Sequence, residues 1–221
     1  LGQAELPVHP SETLKAYLEG IAATQDAETA ALLRAVSDPE RGEEALAALP
    51  LGEGMVARLR SLLRNTVSPT MLLAGSKINV IPAEATAWVD GRLAPGQTDE
   101  SFLAEIRPLI GEDIEVIVDQ YSPPLEASAD SPLYRTVVEV MAERDPEATV
   151  VPGLMTGGTD AKHIVPRRPN TQVYGFMPYL QALGEEEMSL IHGHDERTSV
   201  NNLLFATQVL YDVVRRFCGI E

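Results

Sequence analysis

Thr70-Met71-Leu72-Leu73-Ala74-Gly75, followed after a link by Ala85-Thr86-Ala87-Trp88-Val89-Asp90-Gly91-Arg92-Leu93, decides the fold class. Both stretches read as strands: the first is apolar and ends on glycine, and the second alternates small or apolar residues with bulkier and charged ones. The link, Ser76 to Glu84, is bracketed by Gly75 and Pro82 and is too irregular for a two-residue hairpin turn. Pro95-Gly96 closes the second strand. Thr98 then caps a helix with Asp99 and Glu100 in its first turn, where the helix dipole favours acids. Phe102, Ile106, Leu109 and Ile110 give that helix one buried stripe, and Ile114, Val116 and Val118, alternating with Glu115 and Asp119, predict another strand. Residues 65–120 therefore read strand, strand, helix, strand. One further strand and helix in front would complete a ferredoxin-like layer, an antiparallel sheet with helices on one face. The helices are present; the first strand is not.

Upstream, residues 10–64 read as a stack of short helices. Ser11 is the N-cap before Leu14, Leu18 and Ile21 at helical spacing, and Met55, Leu59 and Leu62-Leu63 close the stack. His9 stands alone there and is expected to be a surface residue. Downstream, Tyr121-Ser122-Pro123-Pro124 is the best linker. Ser131-Pro132 opens a helix with Leu133, Val137, Val140 and Met141 on one face. Thr149 to Pro152 and Thr171 to Phe176 are expected strands, and a polar loop, Gln181 to Glu187, leads to Ile191-His192-Gly193-His194-Asp195-Glu196-Arg197 and a last long amphipathic helix ending near Phe217. The expected division is 1–121, a helical segment with a ferredoxin-like layer, and 122–221, an α/β arrangement with too few strands for a full sheet of its own.

Composition narrows the function. With 17 Lys and Arg against 33 Asp and Glu the formal charge is −16, which repels phosphate backbones and argues against nucleic acid. No apolar run approaches the roughly 20 residues of a membrane span. A single cysteine, Cys218, rules out a disulfide within the chain and fits a reducing cytoplasm. Leu1 to Pro10 have neither a basic nor an apolar leader region, and the first residue is not Met, so the chain is expected to be processed or cut.

Two stretches could carry chemistry. His192 is either a solvated loop residue or, because imidazole is the commonest zinc ligand and titrates near neutrality, a metal ligand or general base. No third His or Cys stands at ligand spacing nearby, and a zinc site needs three or four ligands. Gly157-Gly158-Thr159-Asp160 is either a tight turn capped by Asp160 or an anion cradle of backbone N–H groups and the Thr159 hydroxyl, with Lys162 and His163 adding charge. It lacks the Lys-Ser/Thr ending of a nucleotide phosphate loop, and no Gly-x-Ser-x-Gly is present.

Taken together, Asn79-Val80-Ile81-Pro82 with its following strand, Gly157-Gly158-Thr159-Asp160-Ala161, and His192-Gly193-His194-Asp195-Glu196-Arg197 resemble the zinc-dependent metallopeptidase family of aminoacylase, carboxypeptidase G, acetylornithine deacetylase and succinyl-diaminopimelate desuccinylase. Order and gaps match over essentially the whole chain. The resemblance implies an α/β catalytic domain with two zinc ions, for which cobalt or manganese can substitute, and an inserted ferredoxin-like lid that makes a homodimer. It implies hydrolysis of an amide bond next to a free carboxylate, in a small peptide or an N-acyl amino acid. By the same resemblance His192, four before Glu196, is a zinc ligand and His194 a neighbour. Asn79 contacts the substrate carboxylate or the developing oxyanion, and Gly158 and Thr159 line the pocket. Lys162 takes a place often held by Arg, making a point contact where Arg would be bidentate.

The family's upstream features have no match between Leu1 and Asn65: the His-x-Asp ligands, the bridging Asp, the Glu-Glu pair, the further acidic ligand and the Gly-His-Gly-Ser stretch. The chain is thus expected to be the C-terminal half of such an enzyme, partnered by a missing N-terminal half. It would have no catalytic residue of its own and be inactive alone. The competing expectation is a stand-alone dimerisation or ligand-binding module.

Overall fold

The computed structural model describes residues 1–2, 4–155, 157–180, 190–191 and 193–219. These form two compact units, one of residues 1–126 with 151–171 and one of residues 127–150 with 172–221.

In the first unit four helices follow one another: α1 (Glu12–Ala22), α2 (Ala27–Ala35), α3 (Gly42–Ala48) and α4 (Glu53–Leu63). Side-chain caps start the first two. The Ser11 hydroxyl accepts the Leu14 N–H at 3.2 Å, and one Asp26 oxygen accepts the N–H groups of Glu28 and Thr29 at 3.0 Å. The hydrogen bonds from Thr29, backbone first and then hydroxyl, hold the Asp26 carboxyl below its usual range. Gly42 is required by close packing, since a Cβ there would run into the Val36 carbonyl at the end of α2. Leu14, Leu18, Leu33, Leu46, Leu59 and Leu63 meet in one closed core, and burying each contributes about 1.5–3 kcal/mol.

Strands β1 (Thr66–Ala74) and β2 (Ala85–Arg92) pair antiparallel, from Thr66 opposite Arg92 to Ala74 opposite Ala85. The register shifts between Pro69 and Met71. Proline has no N–H to give the ladder, and the extra residue, Thr70, turns its hydroxyl to the Trp88 carbonyl instead. The link between the strands starts at Gly75, whose φ of +66° suits glycine. Helix α5 (Asp99–Ile110) starts at a capping box of Thr98 and Ser101 and buries Ile106 with Leu6 and Val67.

Three expected strands do not pair. Residues 114–118, 149–152 and 171–176 run without strand assignment, and the only sheet among the described residues is the two-stranded hairpin. The reason is the ladder itself: a strand needs a neighbour for its N–H and C=O groups. Among the described residues none reaches Ile114 or Ile117, which are 51% and 77% exposed.

The second unit is built on α6 (Pro132–Arg144) and α8 (Val200–Cys218); the turn α7 (Ala161–Ile164) belongs to the first. Val137, Val140 and Met141 of α6 interleave with Val209 and Val213 of α8, with Val150, Phe176 and Phe205 against them. Arg144 with Asp212 and Arg216 with Glu143 tie the two helices at their rims, and the Arg216 hydrogen bonds hold the Glu143 carboxyl below its usual range. Ser199 caps α8 at one end, and Gly219 in the left-handed region closes the other.

Candidate functional site

The glycine loop hangs from the helical core of the first unit. Its approach segment is seated by Leu154, which packs on that core, and by Val151, into which a Cβ at Gly20 would run. At the loop the Thr159 hydroxyl accepts the Ala161 N–H at 3.2 Å. The carbonyls of Thr159 and Asp160 accept from Lys162 and His163 at 3.2 and 2.9 Å, winding the chain into α7. Asp160 stands at the N-cap, as expected, but its side chain makes no capping bond. Gly157 and Gly158 behave differently from Gly42. A Cβ on either would meet no atom within 4 Å, and neither is among the glycines with positive φ. Packing does not require glycine at these two positions, which leaves the backbone open to close approach from outside.

Lys162 is exposed and has no ion-pair partner among the described residues. Asn79 sits exposed on the link between β1 and β2. Gly158, Thr159 and Lys162 therefore share one turn, and no hydrogen bond among the described residues joins Asn79 to it.

His192 lies outside the described residues. Its neighbour Gly193 donates its N–H to the Leu190 carbonyl at 2.8 Å, and a Cβ there would lie 2.9 Å from the same oxygen, so this turn needs glycine. Asp195 pairs with Arg197. Among the described residues no three His, Cys, Asp or Glu side chains converge as a metal site. They do not by themselves make the two-zinc centre the resemblance implies, and no reaction step can be drawn through a metal here. An Ala-lined groove of about 290 Å³ between α2 and α3, with Leu32 and Arg41 at its edges, includes no motif residue.

Two polar centres were not foreseen. His9, expected at the surface, is only 22% exposed and its Nε2 meets Glu105 Oε1 at 2.5 Å. The other Glu105 oxygen accepts from Asn65 Nδ2 at 3.0 Å, and the fully buried Asn65 accepts the Ala94 N–H at 2.9 Å. His9 is drawn in from the surface by a partner 96 residues away in sequence. The second centre is Asn202, 1% exposed on the first turn of α8. Its only signal in the sequence is an Asn three places after the capping Ser199.

Residues 13–216 match the model of peptidase family M20/M25/M40. The chain belongs to this family. The M20 chain is 36% identical over 157 residues to the N-fatty-acyl-amino acid synthase/hydrolase PM20D1 of Bos taurus, covering 68% of this chain and 30% of that protein. It is 27% identical over 160 residues to the probable carboxypeptidase S-like 2 of Dictyostelium discoideum, covering 71% of this chain and 30% of that protein. With the PM20D1 of Mus musculus it shares 29% identity over 160 residues, 70% of this chain and 31% of the relative. The chain thus spans about 30% of the length of these relatives. No solved structure matches.

Proposed function

We propose that this M20 chain is the lid and the C-terminal part of the catalytic domain of a metal-dependent hydrolase, divided near residue 121. The reaction is hydrolysis of an amide bond next to a free carboxylate, with an N-acyl amino acid as the first substrate class to test and a small peptide as the second. The observation that carries this is the family match over residues 13–216, with the asparagine, glycine-loop and histidine motifs in the family's order. The relatives, one an N-fatty-acyl-amino acid synthase/hydrolase and one a probable carboxypeptidase S-like protein, support the substrate class.

In this reading the Lys162 ammonium, exposed and without an acidic partner among the described residues, holds the substrate carboxylate as a point charge. Gly158 and Thr159 bring the backbone close to the substrate, and Asn79 contributes a side-chain amide from the hairpin link. His192 is one zinc ligand, and the remaining ligands and the general base come from outside residues 1–221. Exposed Met71, Leu72, Leu73 and Trp88 on the hairpin support a homodimer through the lid. The outer face of α8, with Val200, Leu203, Leu204, Tyr211 and Val214 exposed, supports an N-terminal partner half. No helix among the described residues is long and apolar enough to cross a membrane; the cytoplasmic assignment rests on Cys218, exposed and unpaired.

The test is metal analysis of full-length His192→Ala beside N-acyl amino acid hydrolysis. Zinc and activity should fall together. Unchanged zinc content removes His192 from the ligand set.

A further inference from the structure

The approach to the glycine loop lies along one face of α1. Tyr17 and Gly20, three residues apart and so on the same side of the helix, both lie against it. A Cβ at Gly20 would run into Val151 Cγ1 and lie 3.0 Å from Val151 Cβ, and a Cβ at Gly153 would stand 3.9 Å from the Tyr17 ring. Valine is branched at Cβ and cannot swing away from such a contact at low cost. Leu154 then packs on the same leucine core as Leu14 and Leu18 of α1. Three residues, 155–157, separate Leu154 from Gly158, and past the loop Ala161 is buried again at 8% exposure. The exposed turn of Gly158, Thr159 and Lys162 is thus flanked by a seated residue before it and has a buried one within it. Gly20 has no conformational reason to be glycine: it lies inside α1, is not among the glycines of positive φ, and alanine is the better helix former. What calls for glycine there is the seat for Val151.

We propose that Gly20 is a positioning residue: carrying no side chain, it lets Val151 seat on α1, and that seat sets where the glycine loop presents Lys162 to the substrate carboxylate. The helical stack, which holds none of the family motifs, thereby takes part in substrate binding. Gly20 itself touches no substrate atom. The role of Lys162 rests on the hydrolase reading above; the seat stands on the packing of Val151 and Leu154 against α1 and its core.

The experiment measures kcat and KM for N-acyl amino acid hydrolysis, the melting temperature and hydrogen exchange of the Ala161 amide. It compares the full-length protein with its Gly20→Ala, Val151→Ala and double variants. Gly20→Ala should raise KM about fivefold or more with kcat within about twofold, because a displaced carboxylate grip weakens ground-state and transition-state binding alike. It should also lower the melting temperature and speed exchange at Ala161, whose N–H the Thr159 hydroxyl accepts. Val151→Ala removes the clashing Cγ1, so the double variant should return KM to within about twofold of Val151→Ala alone. A melting temperature that rises in Gly20→Ala, as when alanine replaces an unpacked helical glycine, overturns the seat. So does a double variant no better than Gly20→Ala. An unchanged KM in Gly20→Ala with a lowered melting temperature makes the seat a packing contact only and overturns the positioning role. Should Gly20→Ala not fold, Val151→Ala decides alone: it loosens the seat without a clash and should raise KM by about twofold or more, and an unchanged KM contradicts the proposal. Absence of hydrolysis by the unaltered enzyme is a different failure: it sinks the hydrolase reading, and the Ala161 amide then judges the seat. Exchange that is faster in Gly20→Ala and restored in the double variant upholds it; equal exchange in all of them overturns it.

Discussion

The four-helix stack and the β1–β2 hairpin lie in the same unit and solve the burial problem in opposite ways. Helices α1 to α4 turn their leucines inward until Leu14, Leu33 and Leu46 are almost wholly shielded. The hairpin leaves Met71, Leu72 and Leu73 58%, 78% and 62% exposed. Three successive exposed apolar residues means that both faces of the ribbon are uncovered, because side chains alternate along a strand. A two-stranded ribbon is marginal in water unless something packs on it. The helical stack is thus self-sufficient, whereas the apolar residues of the hairpin find no cover among the described residues. The same contrast separates the two faces of α8, one packed on α6 and one open.

The contrast can be broken most forcefully by truncation. Leu46→Ala in α3 should cost about 2–5 kcal/mol, read as a lower urea midpoint for the 221-residue chain. Leu72→Ala on the hairpin should change it by less than about 0.5 kcal/mol. Equal losses would mean the hairpin is covered after all. Glycine offers a second pair. Gly42→Ala drives a Cβ into the Val36 carbonyl and should cost about 1–3 kcal/mol. Gly158→Ala, with open space around it, should leave the midpoint unchanged while raising KM in the full-length enzyme. A lowered midpoint for Gly158→Ala would return that glycine to a structural role.

Smaller effects sharpen the picture at the helix caps and the loop. Ser11→Ala should cost about 1 kcal/mol by unfolding the start of α1, seen as loss of amide protection at Leu14. The Asp26 carboxyl is depressed in the folded state, so its contribution is present above its ordinary value of 3.8 and is lost as the pH falls through the folded value. The stability difference between the native chain and Asp26→Asn should shrink on acidification below that range; a difference that grows there contradicts the cap. For Lys162, replacement by Arg should be tolerated, while Lys162→Met should raise KM for carboxylate substrates. Equal KM values would take Lys162 out of the pocket.

What could be read from sequence was what depends on near neighbours. The caps Ser11, Thr98 and Ser131 sit where they were expected, each accepting an N–H three residues on. The helices they open and the two strands of the hairpin follow the spacing of their apolar residues. The histidine, glycine and asparagine motifs led to the M20 family, because motif order survives where single residues say little. The failures are those of distant partners. Residues 114–118 and 171–176 have strand patterns and no strand beside them among the described residues. His9 looked solitary because Glu105 lies far along the chain, and Asn202 carries no sequence signal of its bond to Leu180, 22 residues back. Asp160 stands at the N-cap of α7, but the hydroxyl of its neighbour Thr159 takes the Ala161 N–H, a choice between adjacent oxygens that spacing does not resolve.

The central claim is that residues 1–221 hold part of a hydrolase site whose other parts lie elsewhere. Its most direct test is to assay N-acyl amino acid hydrolysis by the 221-residue chain and by the full-length protein, at equal concentration and with zinc supplied to both. The account predicts turnover by the full-length protein and none above background by the chain alone. Turnover by the chain at the full-length rate would contradict it.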